Sequence, residues 1–253
     1  MIGIRTFHSL LKPVFDPLRA LRNLRAYGRY LLEARRYQAL SRQAGVRREW
    51  SWRPMLDDRT STTGFDAHYV YLGAWAFRNI VREHPAEHVD VGSQISWVTC
   101  LASVSAVTFI DIRPFDGNVE GLKSIAGSVL EMPYADQTIY SLSCLHVAEH
   151  IGLGRYGDPL DPLGTMKAIR ELARILAPGG RLYFALPVGK DQIVFNAHRV
   201  HRPSAIIAEF NTCGLRLVDF GAVTDGQQFI ASNAQPAAFE SAEYACGMFV
   251  FTR

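Results

Sequence analysis

The sequence is short of several features that would place it quickly. None of its apolar runs approaches the length that crosses a bilayer, and its amino terminus, MIGIRTFHSLLKPVF, has no long apolar core of the kind a secretory signal carries. The expectation is a cytoplasmic protein. Cysteine is scarce: Cys100, Cys144, Cys213 and Cys246 are scattered over 253 residues without a C-x-x-C pair. That argues against a disulfide framework and points to reduced, mostly buried thiols. Internal repeats and low-complexity tracts are also missing. What remains is ordinary for a globular chain, with 48% hydrophobic and 20% charged residues, enough for a sizeable core.

Charge is unevenly spread. Residues 1–60 hold 13 Lys and Arg against 5 Asp and Glu, whereas the remainder holds 14 against 19. A basic appendage on a mildly acidic body follows, with an extension and linker over residues 1–60 and a larger domain over 61–253. Residues 16–43 carry helix formers broken only by Gly28, with leucines at roughly helical spacing and arginines between them. Such a helix can lie on an anionic membrane surface, as a peripheral contact at the inner face, or can cover an apolar face of its own protein. The arginines lack interleaved aromatic stacking groups, which argues against nucleic acid as a partner.

Beyond a polar linker at 49–65, strand and helix patterns alternate. A helix ending near Pro85 precedes strands at 88–91 and 107–112 and a third apolar run at 139–146. A helix over 165–176 is closed by Pro178-Gly179-Gly180, and a strand at 181–188 follows. A helix at 203–214 and strands at 215–223 and 247–253 finish the chain. The order predicts an α/β fold, a mostly parallel doubly wound sheet whose ligands bind at the carboxyl ends of the strands.

One segment at that rim, HVAEH (146–150), matches the H-x-x-E-H pattern of a zinc-peptidase class. Such an enzyme carries both histidines inside a long helix and a further ligand on another. Here the preceding residues read as a strand, Gly152 and Gly154 interrupt any helix, and no later glutamate sits in a helical ligand motif. No metal is expected from this motif. The strand ends at Asp90-Val91-Gly92 and at Asp111 fit a different ligand: glycine permits close backbone approach, and an acid 21 residues further on can accept both hydroxyls of a ribose. Only Gly92 stands where a dinucleotide fingerprint needs three glycines.

Together VDVGS, FIDIRP, GSVLEMPYADQTIYSLSCLHVAEHI and RELARILAPGGRLYFALP resemble the class I S-adenosylmethionine-dependent methyltransferases over about residues 65–253. DAHY, HVAEHIGLGRYGDPLDP and FNAHR resemble a bacterial branch of unknown function associated with surface-glycan biosynthesis. The resemblance implies a seven-stranded Rossmann-like sheet with its last strand inserted antiparallel, S-adenosylmethionine as cofactor, and O-methylation of a sugar or glycan intermediate. It also implies that Asp90, Gly92 and Ser93 border the methionine part of the cofactor and Asp111 its ribose, with Ile112 alongside. Ser128, Val129 and Met132 would lie near the adenine, and His146 would face the sulfonium. His68 and Tyr69 would close a lid, or else simply pack their helix.

An oxygen nucleophile needs its proton removed, for which histidine suits working pH; His150 and His198 are the candidates. In the loop 152–164, Arg155, Tyr156, Asp158 and Asp161 can grip sugar hydroxyls, or the two aspartates can fix turns. Arg199 can pair with an acidic group on the acceptor. The chain departs from the family where Gly127-Ser128-Val129 replaces Gly-Asp-Ala and where Thr138-Ile139-Tyr140 replaces Ser-Phe-Asp. Each loses a carboxylate, which leaves open a catalytically silent relative serving as a binding or scaffold protein in glycan assembly.

Overall fold

A computed structural model describes residues 17–253, which divide into two compact units, one ending at Gly64 and the other beginning at Phe65. In the first, helix α1 (Pro17–Gln43) buries only a narrow stripe at Ala26 and Ala34. The irregular chain following it adds aromatic contacts, Tyr30 with Trp52 and Tyr37 with Trp50, both at 6.1 Å between ring centroids. Arg59 pairs with Glu33 at 2.8 Å. Leu21, Leu24 and Leu32 stay exposed among the arginines, so they do not form a buried apolar seam. Among the described residues no helix is long and apolar enough to cross a membrane.

The second unit is a three-layer α/β domain. Its sheet has the order β3-β2-β1-β4-β5-β10-β8-β9. Strands β1 (Glu87–Val91), β2 (Ala106–Asp111), β3 (Leu122–Ala126), β4 (Ile139–Leu145) and β5 (Leu176–Val188) run parallel; β10 (Ala245–Thr252) lies antiparallel between β5 and β8 (Arg216–Val223). All eight residues of β10 are buried, which is why GMFVFTR reads as a continuous apolar run and not an alternating one. Helices α4 (Gly164–Ile175) and α5 (Pro203–Thr212) cover one face, and α2 (Ala67–Glu83) and α3 (Ile95–Ala102) cover the other. Helix α4 turns Ala168, Ile169, Leu172 and Ala173 inward at helical spacing, and they are at most 1% exposed.

The sheet has eight strands and not the expected seven. The extra one, β9 (Phe229–Ile230), adds two residues to the edge of β8 after a tight turn, too short to leave a periodic pattern. A separate hairpin pairs β6 (Gln192–Val194) with β7 (His198–Val200). The Pro-Gly-Gly segment is not a loop: α4 stops at Ile175, and β5 begins at Leu176, in register with Ile139. From β1 the chain winds outward through β2 and β3 and returns to β4 on the other side of β1. This reversal opens a crevice beyond the ends of β1 and β4, where such sheets bind ligands.

Candidate functional site

Gly92 makes the turn out of β1 with φ +65°, and its N–H donates to Ile110 O at 2.8 Å. A Cβ here would stand 3.2 Å from Val147 Cγ1 and 3.4 Å from Asp111 Oδ2, so the bare turn keeps the crevice open. Asp90 does not border that crevice, contrary to expectation. It is wholly buried beneath the turn, where Oδ1 accepts from Ser93 N–H (3.1 Å) and Oδ2 from the hydroxyls of Ser93 (2.7 Å) and Ser143. The chain continues from Ser143 to His88 Nε2 and from His88 Nδ1 to Ser141, both at 2.8 Å. Burial pushes Asp90 up to about 6, against the pull of those hydrogen bonds, and His88 down to about 3. Ser93 is equally committed, since its hydroxyl also accepts from Leu145 N–H at 3.1 Å. Both residues therefore hold the turn from inside.

The crevice contains a hollow of about 270 Å³ lined by Gly92, Asp111, Ile112, Ser128, Val129, Leu130, His146 and His150, among others. Asp111 Oδ1 caps Arg113 N–H at 2.7 Å, and its side chain still faces the hollow. Ser128 spends its hydroxyl on Leu130 N–H at 3.1 Å. Met132 is not at this wall: it is 4% exposed within the core, and its N–H donates to Glu171 Oε1 at 2.6 Å.

A second hollow, of about 650 Å³, adjoins it. His68, Tyr69, His146, Glu149, His150, Arg155, His198 and Tyr244 contribute to its wall. HVAEH is not helical in the peptidase manner. His146 follows the end of β4 at φ +57°, and Ala148–His150 form one 3-10 turn. Glu149 Oε1 then sits 2.7 Å from His146 Nδ1 and 3.7 Å from His150 Nε2. Burial alone would lower His146 and raise Glu149; Cys246 and then Glu149 raise the histidine, and His146 lowers the carboxylate, so the pair is held as an ion pair.

His150 Nδ1 lies 2.5 Å from Ala197 O. A carbonyl only accepts, so Nδ1 carries the proton and Nε2 a lone pair. Burial lowers the pKa of His150 and of His198, keeping both rings neutral at pH 7. Tyr156, at the edge of the first hollow, has the Arg113 guanidinium 4.2 Å and that of Arg155 5.3 Å from its ring centre.

The expected acceptor grip is only partly assembled. Asp158 lines the first hollow but accepts from Gly152 N–H (2.6 Å) and Tyr156 N–H (3.2 Å). Asp161 accepts from Leu163 N–H (2.9 Å) and Lys167 (2.6 Å). Both fix turns, as aspartates before proline do. Arg199 does not reach the hollows as an anion ligand: it is 4% exposed and donates to Ile151 O (2.6 Å) and Asp161 O (2.9 Å), tying the rim loop to β7.

This winding, the antiparallel β10 and the crevice at Gly92 define the Rossmann-like fold of the class I S-adenosylmethionine-dependent methyltransferases. Three solved structures share it with TM-scores of 0.51. One is the complex of the Haloferax volcanii Trm112 methyltransferase activator with a candidate methyltransferase (13% identity, 73% of this chain and 89% of that one). Another is a candidate sarcosine dimethylglycine methyltransferase from Galdieria sulphuraria (13%, 72% and 85%). The third, the 4+2 cyclase SpnF, matches at 12% identity over 72% and 80% and is named for a different reaction. A family model described as Caenorhabditis protein of unknown function, DUF268, matches residues 91–214. That description lends no support to the expected bacterial glycan branch. No curated protein matches the chain by sequence.

Proposed function

We propose that the chain is an S-adenosylmethionine-dependent O-methyltransferase whose acceptor is a hydroxyl of a sugar or glycan intermediate. The observation that carries this reading is the meeting of the two hollows at His146 and His150, beyond the ends of the strands. The first hollow fits an adenosyl group: Gly92 leaves backbone room, Asp111 offers a carboxylate to ribose hydroxyls, and Ile112, Val129 and Leu130 supply apolar surface for a base. When bound, the cofactor supplies a methyl group on a sulfonium. The chain's own work is alignment and proton removal. Nε2 of His150 is the base, and the nearby Glu149 carboxylate stabilises the imidazolium that results. His198, half-buried against Tyr244, is the second candidate base. The mixed lining of the second hollow, with acids, an arginine and two tyrosines, suits a polyhydroxylated ligand.

Calorimetry with S-adenosylmethionine, followed by a methyl-release assay over a panel of sugar acceptors, tests this. His150→Ala is expected to lower turnover about 10²–10⁴-fold while leaving cofactor affinity intact. Because burial lowers the His150 pKa, the wild-type rate should level off below neutral pH. An unchanged rate in His150→Ala and His198→Ala removes both bases, and heat without turnover supports the silent scaffold.

A further inference from the structure

Three side chains far apart in the sequence converge on one point behind the second hollow. His68 stands in the first turn of α2, His146 follows β4, and Cys246 is the second residue of β10. Each offers one ligating atom, and the three atoms lie within 4.8 Å of one another. Cys246 is fully buried, and the His146 side chain is 4% exposed.

The hydrogen bonds around them leave this point unfilled. His146 Nδ1 is held by Glu149 at 2.7 Å, while Nε2 is buried without a hydrogen-bond partner. Glu149 Oε2 is a second buried atom with none. His68 stacks on the rings of both His146 and Tyr244, with centroids 5.5 Å and 4.9 Å apart. His146 thus commits Nδ1 to an outer carboxylate. That is how ligating histidines are ordinarily oriented, because it fixes the tautomer whose lone pair faces the ion. His146 is further aimed by a backbone at φ +57°, a conformation uncommon outside glycine.

We propose that His68, His146 and Cys246 bind one zinc-class divalent ion, whose fourth position opens into the second hollow. Two imidazoles and a thiolate select a borderline-soft metal over magnesium or calcium. A tetrahedral ion with bonds of roughly 2.0–2.3 Å holds its ligand atoms about 3.4–3.8 Å apart, so closing the triangle takes movements of about 1 Å. Three protein ligands with an open position are the pattern of a catalytic site. If the acceptor reading above holds, the ion would take the acceptor oxygen there; metal binding itself does not depend on that reading. The ligand set differs from the H-x-x-E-H pattern, for His150 is not a ligand and Glu149 acts from behind His146.

The full chain, stripped with a chelator and dialysed, is titrated with Co²⁺ and then Zn²⁺. The expected result is a sulfur-to-cobalt charge-transfer absorption that saturates at one ion per chain and vanishes as Zn²⁺ displaces cobalt. Cys246→Ser removes that absorption, His68→Ala weakens binding at least about 10-fold, and Glu149→Gln weakens it about 10–100-fold. Cys100→Ser, at an exposed cysteine, leaves it unchanged. Absence of the band in the wild type, or its survival in both Cys246→Ser and His68→Ala, overturns the site. Should Cys246→Ser fail to fold by circular dichroism, His68→Ala decides. Calorimetry with S-adenosylmethionine on the metal-free chain keeps the two readings apart: cofactor heat without a cobalt band sinks the metal alone, and a band without cofactor heat sinks only the methyl-transfer reading.

Discussion

Replacing Asp90 by Asn should remove a pH-dependent weakness from the fold. The carboxyl is raised from 3.8 to about 6 in the native state, chiefly because burial opposes its charge. Between about pH 4 and pH 6 the native protein therefore keeps a proton that the unfolded chain has given up. Stability falls as pH rises through that window, and the loss reaches about 3 kcal/mol by neutral pH. An asparagine cannot ionise. Its oxygen can still accept from Ser93 N–H, and its amide can donate to the Ser143 hydroxyl. Ser143 would then donate to His88 Nε2, and His88, neutral with its pKa near 3, would shift its proton to Nδ1 and donate to Ser141. The whole chain of hydrogen bonds can reverse direction, at the expense of about one bond at Ser93, or about 1 kcal/mol. Asp90→Asn is thus expected to be about 1–3 kcal/mol more stable than wild type at pH 7 and no more stable at pH 4. Urea denaturation at a series of pH values between these limits measures the difference. Parallel stability curves for the two proteins would refute the account, as would a loss above about 2 kcal/mol at pH 7.

Gly92→Val should abolish measurable S-adenosylmethionine heat, because the side chain enters the crevice beside Val147 and Asp111, and the positive φ should add about 1–2 kcal/mol of destabilisation in a thermal melt. Arg199→Met should destabilise by about 2–4 kcal/mol, since the carbonyls of Ile151 and Asp161 lose a charged donor, and hydrogen exchange should quicken over residues 151–161. For α1, whose arginines stand among exposed leucines, a peripheral contact of the kind its sequence allows predicts sedimentation with anionic but not neutral vesicles, weakened by salt and lost on deleting residues 1–64. Equal sedimentation of the deleted chain would dismiss it.

The fold was legible wherever burial imposed a period. The 165–176 helix and the 181–188 and 247–253 strands are buried on the faces their patterns require, and their ends differ from expectation by a few residues. Elements whose residues are half-exposed left less signal. Strand β3, LKSIA, has no buried residue, and helix α3 is eight residues long without a side-chain cap. The site was legible in part. Asp90 and Asp111 look alike as acids at strand ends, yet they end up in opposite settings. Asp90 precedes a residue paired to Ile110 in mid-sheet and is enclosed, whereas Asp111 closes β2 at the rim. Nothing in the local sequence distinguishes them. His68 and Cys246 could not be paired with His146 at all, because only the insertion of β10 beside β5 carries Cys246 to that corner.

The common wall of His146 and His150 has a thermodynamic corollary. If a guest in one chamber moves that wall, equilibrium linkage requires that each occupant alter its neighbour's grip by an identical factor. Two ligands would then recognise each other through a pair of imidazoles, so that loading one chamber prepares, or forbids, the filling of the next.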